Sequence, residues 1–556
     1  HDFCLWKIVC GYVMIGTSIK TDKTKRGREH IMRESGILMP VSSLPGPYGI
    51  GCFGKKAEKF VDFLAAAGQK IWQILPLSPT GYGDSPYQSC SAFAGNPYFI
   101  DLDALKAEGL LTAAQLKAEP WGKDPLNVDY GTLYTSRYKI LRAAYAAWRR
   151  QCAGRHGCAH YYPDAYYAFT LENEGWLEDY ALYMALKTAN GMKSWTQWPR
   201  EYRKREPQAL EAFKAENEEE IGFWKFLQYE FSIQWKKLKA YANANGVQIL
   251  GDIPIYVSAD SVDAWVGGPL FELDADGGFA RVAGCPPDYF SADGQLWGNP
   301  LYNWPYHKQT GYAWWIQRVR HALGIYDLLR IDHFRGFDTY WAIPADSTTA
   351  KTGKWETGPR MELFNALEGA LGKLPIIAED LGELFPSVRE LLADSTFPGM
   401  KVLQFAFGGG DSEYLPHNHV KNSVVYPGTH DNTTLTAWWD ESASAKEKAV
   451  AAAYLHLTGC QPTAKEVAAV KTEAARTALL RAALGSVADR AIIPMADWLG
   501  LGEEAHLNSP GKLGGNWSWR AADGFDTAAL AKRILAECAV YCRTEPGRKP
   551  GVCLAV

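Results

Sequence analysis

A chain of 556 residues exceeds one small domain but suits a single elaborated barrel with inserted subdomains, and its 47% apolar content is enough for a core. Its 58 Lys and Arg stand against 62 Asp and Glu, so the balance offers no basis for a nucleic-acid partner and favours an uncharged one. The 21 Trp and 29 Tyr exceed what a core of this size requires, and such side chains present a flat apolar face with a polar handle.

Residues 1–31 run mostly apolar from Phe3 to Gly16 around Lys7, then turn basic from Lys20 to Arg28. That order lacks both the leading positive charge and the small-residue cleavage site of a secretory signal. The expectation is a non-native or unstructured extension with Met32 as the natural start. A plastid transit segment is the alternative. The following elements read as a first buried strand over 37–44, a Gly/Pro-rich loop over 45–54, and a helix over 55–67. That helix has Phe60, Phe63, Leu64 and Ala67 on one face and ends at Gly68. A second buried strand over 71–77 completes a strand–helix–strand unit of the kind that builds parallel sheets.

The loop 78–89 carries Tyr82, Asp84, Ser85, Tyr87 and Gln88; at the carboxyl end of a barrel strand, ligand contact is the expectation over an ordinary Ω-loop. From about 104 to 245 Ala, Glu, Lys and Leu rise, and helical stretches such as 134–150 and 177–189 predict an inserted helical subdomain with a solvated charged face. A third strand over 247–257 delivers Asp252 near its end. Residues 283–304 form another Gly/Pro/aromatic stretch, expected as a lid-like loop.

The units then come close together. Helix 311–323 leads to the strand with Asp332, helix 360–371 to a strand over 374–381, and a helix over 386–393 to strand 400–407. Strand 423–427 runs into His430 and Asp431, helices span 444–486, and a last strand begins at Ala491. Eight buried strands predict an α/β fold, a (β/α)8 TIM barrel over 32–545 with a short tail at 546–556. A doubly wound open sheet is the alternative, but no Gly-x-Gly-x-x-Gly loop follows any strand.

Tyr326–Phe337 is an apolar run with Arg330 and Asp332 two residues apart, hence on one face of a strand. Such a buried charge pair is a structural ion pair, or else Arg330 keeps Asp332 ionised as a nucleophile. Two more carboxylates end other barrel strands, Glu379 on the fifth and Asp431 just after the seventh, and parallel strands bring their ends to one rim. Carboxylates in different environments are what glycosidic bond chemistry requires. Ile376, Ile377 and Ala378 would raise the pKa of Glu379, while Arg330 would lower that of Asp332. Asp380 faces the other way and reads as structural. His430 offers hydrogen bonds to hydroxyls, with a helix N-cap at Asn432 as the plainer account of that corner.

The 11 cysteines are scattered without a Cys-x-x-Cys, a pattern of reduced thiols. His417 and His419 read as surface histidines and not as metal ligands, and no apolar run approaches the ~20 residues that span a bilayer.

Several motifs resemble the 4-alpha-glucanotransferases, also called amylomaltases or disproportionating enzymes, which are related to the alpha-amylases. They are Gly-Tyr-Gly-Asp-Ser-Pro-Tyr-Gln (81–88), Ser-Ala-Phe-Ala-Gly-Asn-Pro-Tyr (91–98), Gly-Asp-Ile-Pro-Ile-Tyr-Val (251–257), Pro-Pro-Asp-Tyr-Phe (286–290) with Gln-Leu-Trp-Gly-Asn-Pro-Leu-Tyr (295–302), Arg-Ile-Asp-His-Phe-Arg-Gly (330–336), Ala-Glu-Asp-Leu-Gly (378–382), Gly-Thr-His-Asp-Asn (428–432) and Asn-Trp-Ser-Trp-Arg (516–520). The resemblance runs from about Ser35 to Arg520. It implies a retaining transglycosylase that passes alpha-1,4-glucan segments to the 4-OH of a glucan or glucose acceptor. In that scheme Asp332 is the nucleophile, Glu379 the acid and then base, and Asp431 holds sugar hydroxyls. Arg330, His430 and Asp252 match positions around the reacting sugar, and Ser85, Tyr87, Gln295, Trp297 and Asn508 match positions lining neighbouring glucose sites. The resemblance implies no metal or organic cofactor.

The partners expected are alpha-1,4-glucans and glucose, with no nucleic acid and no membrane, in a monomer or dimer. The expected compartment is the cytoplasm, or a plastid if residues 1–31 are a transit segment. The competing functions are an alpha-glucan hydrolase, which shares the first half-reaction, and a silent glucan-binding protein, against which the acid and nucleophile pair argues.

Overall fold

Eight parallel strands form one sheet: β1 (Glu34–Leu38), β2 (Ile71–Gln73), β3 (Gln248–Pro254), β4 (Leu328–Asp332), β5 (Ile376–Ala378), β6 (Gly399–Val402), β7 (Ser423–Tyr426) and β8 (Arg490–Pro494). Their order is β6-β7-β8-β1-β2-β3-β4-β5. The ring closes between β5 and β6, where the Ala378 N–H donates to the Pro398 carbonyl at 3.0 Å. This is the (β/α)8 barrel expected from the sequence. The computed structural model describes residues 33–544 apart from Tyr82, 157–161, 275–277, 288–292, Glu383 and Leu513. The expected extension at 1–31 and the tail at 546–556 lie outside the described residues.

The strands are short apolar runs because both of their faces are covered. Ile37, Ile71, Leu329, Ile377, Val425 and Ile492 are all buried. Most strands are shorter than expected, β2 ending at Gln73 and β5 at Ala378; the run 37–44 leaves the sheet after Leu38 and turns at Val41–Ser43, and the run 400–407 leaves after Val402. Their apolar patterns continue past the strand ends because the turns, with Val41, Leu44 and Leu403, are themselves buried.

The first helix, Lys55–Ala66, turns Phe60, Val61 and Leu64 inward and packs against the last one, Ala528–Val540. Between β2 and β3 the chain is largely helical, from Leu102–Ala107 to Glu218–Ala244.

Residues 283–304 are not a loop throughout. Arg281–Cys285 and Gln295–Pro300 are strands of a four-stranded antiparallel sheet completed by Thr339–Pro344 and Lys354–Thr357. The sheet is joined where Arg281–Cys285 meets Thr339–Pro344, which arrives from beyond β4, so that pairing has no local signature.

The register of β3 and β4 positions the site. Asp252 lies opposite Arg330 and Pro254 opposite Asp332, so the Asp252 and Arg330 side chains emerge side by side on one face. Gly251 makes this fit possible: a Cβ there would lie 2.1 Å from the ring of Tyr326.

Candidate active site

Arg330 is a buried cation, 2% exposed, held between two carboxylates. Its Nη1 donates to Asp252 Oδ2 at 2.6 Å and its Nη2 lies 2.9 Å from Asp332 Oδ1. Asp252 is fully buried, and its Oδ2 also accepts the Tyr87 hydroxyl at 2.8 Å. Asp252, expected around the reacting sugar, is thus buried beneath Arg330 and Tyr87, with no surface open to solvent. The strand end reverses the exposure, since Asp332 keeps 29% of its side chain open to solvent.

Glu379 follows β5 directly and is half-buried. Its Oε2 accepts the His333 N–H at 2.7 Å and its Oε1 the Leu381 N–H at 2.8 Å. His333 can aim its N–H this way because it takes a left-handed backbone, φ 55°, directly after Asp332. Its ring meets Trp297 edge-on at 4.8 Å, and the Trp297 indole N–H donates to Gln295 Oε1 at 3.1 Å. The antiparallel sheet thus reaches the carboxylate rim through Trp297.

Asp431 stands on the far side with 38% of its side chain exposed. Asn508 donates to its Oδ1 at 2.6 Å, and His430 Nε2 lies 3.3 Å from its Oδ2. Burial lowers the pKa of His430, which keeps the imidazole neutral and able to donate. The His430 ring stacks on Tyr87, with centroids 5.2 Å apart, and Trp517 packs against both. Asn432 is not a helix cap: its Oδ1 accepts the Thr429 N–H and hydroxyl, and Thr434 caps the helix that follows. Asp380 is buried and accepts the Met400 N–H, a structural role as expected.

The electrostatics differ from the expected division. Burial raises Asp332 to about 8; Arg330 pulls against this, while the charges of Glu379, Asp252 and Asp431 add to it. The 29% of the Asp332 side chain that meets water tempers that rise. Burial also raises Glu379, opposed by Arg330 and the two backbone N–H groups. Burial is the larger cause for both carboxyls, and at Asp332 the neighbouring acids add to it. Arg330 alone does not set Asp332 low.

Among the remaining expected residues, Ser85 Oγ accepts the Tyr87 N–H at 3.2 Å and shapes the loop that carries Tyr87. Tyr82 lies outside the described residues. His333 and Trp517 also belong to the site: Trp517 lies within the Asn-Trp-Ser-Trp-Arg motif, and the left-handed turn at His333 has no sequence signature. His417 is exposed, but His419 is buried, between Ser486 Oγ at 2.7 Å and the Tyr414 carbonyl at 2.9 Å, and is not the surface histidine expected. No group of three or more potential metal ligands occurs among the described residues.

The profile of a family described as 4-alpha-glucanotransferase matches residues 39–526. A 4-alpha-glucanotransferase of Clostridium butyricum is 46% identical over 91% of this chain and 100% of its own length. One from Thermus thermophilus is 45% identical over 88% of this chain and 95% of its own. The structure of amylomaltase from Streptococcus agalactiae in complex with acarbose superposes with a TM-score of 0.85 at 40% identity, covering 92% of this chain and 100% of that one.

Proposed function

The chain belongs to the 4-alpha-glucanotransferase family and transfers alpha-1,4-glucan segments between glucans, and we propose that Asp332, Glu379 and Asp431 carry that reaction. Asp332, ionised beside Arg330, attacks the anomeric carbon of a bound glucose unit while Glu379, protonated, gives its proton to the departing glycosidic oxygen. The result is a glycosyl ester on Asp332. Glu379, now ionised, takes the proton from the 4-OH of an acceptor glucan as that oxygen attacks the same carbon and frees Asp332.

Arg330 supports the first role. It donates to Asp332 from a buried seat fixed by Asp252, so the attacking oxygen is aimed before substrate arrives. The backbone N–H groups of His333 and Leu381 fix Glu379, and they stabilise the anion left when the acid has given up its proton. Asp431, steadied by Asn508, is placed to accept sugar hydroxyls, with neutral His430 donating beside it. Tyr87 offers its ring face on this side, and Trp297 together with Gln295 walls the other.

The single observation that carries this reading is the contact of Arg330 with Asp332, whose carboxyl also feels the charges of Glu379 and Asp431. Incubation with maltotriose tests it. Longer maltooligosaccharides must appear with glucose, and Asp332→Ala must abolish both while glucan binding persists; shortening alone, or turnover by the variant, removes the assignment.

The substrate class is alpha-glucan. Cys52, Cys90, Cys152, Cys285, Cys460, Cys538 and Cys542 are free thiols, which supports a reducing compartment, the cytoplasm or a plastid stroma. No helix of the described residues is long and apolar enough to cross a membrane.

A further inference from the structure

An exposed aromatic group is linked along the chain to His333 and Glu379 and has no part in the mechanism above. Trp355 lies on the edge strand Lys354–Thr357 and is 36% exposed. Its ring packs edge-on against Phe385 at 5.1 Å and against Trp341 at 5.1 Å, and the Trp341 indole N–H is anchored on the Ala350 carbonyl. The Arg335 guanidinium is buried under the group, 4.4 Å from the Trp355 centroid and 5.0 Å from that of Phe385. A cation on two ring faces fixes their orientation.

The group is joined to the chemistry by the chain itself. Arg335 belongs to the turn Phe334–Phe337 that follows His333, and Phe385 lies farther along the loop that begins at Glu379. Tyr87, His430, Trp517 and Asn508 gather at Asp431. Trp355 and Phe385 instead continue from Glu379, the acid that faces the leaving and incoming oxygens. On the same strand Thr357, two residues on and so on the face of Trp355, is exposed and offers a hydroxyl beside the ring. An apolar ring face with a polar margin fits a pyranose, which has an apolar face and a rim of hydroxyls.

We propose that Trp355, backed by Arg335 and Phe385, is a remote stacking site for the leaving-group and acceptor portion of a long alpha-1,4-glucan. The proposal rests on the transferase reading above and extends it to chain-length preference. Short substrates end before this surface, whereas long ones cross it.

The test compares maltotriose with long amylose, maltose being supplied as acceptor for the latter. Trp355→Leu keeps an apolar cover over Arg335 but removes the flat face, and Trp355→Phe restores one. For Trp355→Leu the KM for amylose is expected to rise about tenfold, while kcat and KM for maltotriose move less than twofold; Trp355→Phe recovers most of the loss. An unchanged KM for amylose, or an equal rise for both substrates, overturns the proposal. So does a shift from dimer to monomer on size exclusion with Trp355→Leu, because the ring would then belong to a contact between copies. A wild-type protein that does not lengthen maltotriose is a separate failure, of the transferase reading itself.

Discussion

Asp252 and Arg330 occupy opposed positions on neighbouring strands and are joined at 2.6 Å, with 0% and 2% of their side chains exposed. The pair is a buried support for the rim: it fixes a cation whose second nitrogen faces Asp332 at 2.9 Å. Breaking one member of a buried pair strands the other. Asp252→Ala is therefore expected to destabilise the fold by about 3–5 kcal/mol, read from chemical denaturation. Transfer should fall as well, because Arg330 then turns toward Asp332 without its anchor. A variant with unaltered stability would show that Arg330 is compensated elsewhere.

The two catalytic carboxylates separate by leaving group. With natural glucans, Glu379→Gln is expected to lower kcat by roughly 10²–10⁴-fold, the span of general-acid contributions. With a maltosyl fluoride donor, whose leaving group needs no proton, formation of the glycosyl enzyme should survive in Glu379→Gln. It should be absent in Asp332→Ala. Equal loss of both steps in both variants would contradict the division of roles.

The raised Asp332 carboxyl links stability to pH. A carboxyl at about 8 in the fold, against ~4 when unfolded, holds a proton in the native state that the unfolded chain releases. Its stabilising contribution is fully present below about pH 4 and is lost as pH rises toward 8. Asp332→Asn removes this dependence, so the difference in Tm between variant and wild type should shift in the variant's favour across that window. A parallel pair of Tm curves would place the Asp332 carboxyl near its ordinary value.

Tyr87→Phe isolates a single hydrogen bond. The ring stays stacked on His430, but Asp252 Oδ2 loses the hydroxyl at 2.8 Å and keeps only Arg330. A lost bond to a buried charge costs about 1.5–3 kcal/mol, measurable by denaturation. Glucan KM should rise less than in Tyr87→Ala, which loses the ring face too.

The sequence alone carried the barrel and the acids that end its strands. Short apolar runs alternating with amphipathic helices have one compact solution, and Asp332, Glu379 and Asp431 each follow such a run, so strand direction already assigns them to one rim. The motifs around them carried the family.

Three features depended on tertiary structure. The strand Arg281–Cys285 pairs on one side with Gln295–Pro300 and on the other with Thr339–Pro344, which arrives from beyond β4, and no local pattern encodes that second pairing. Asp252 became a buried support because strand register, which the letters do not state, puts it opposite Arg330. The upward shift of the Asp332 and Glu379 carboxyls followed first from their burial, with neighbouring acids adding to it at Asp332. That is a property of distances in three dimensions, where burial and like charges outweigh the neighbour two residues away.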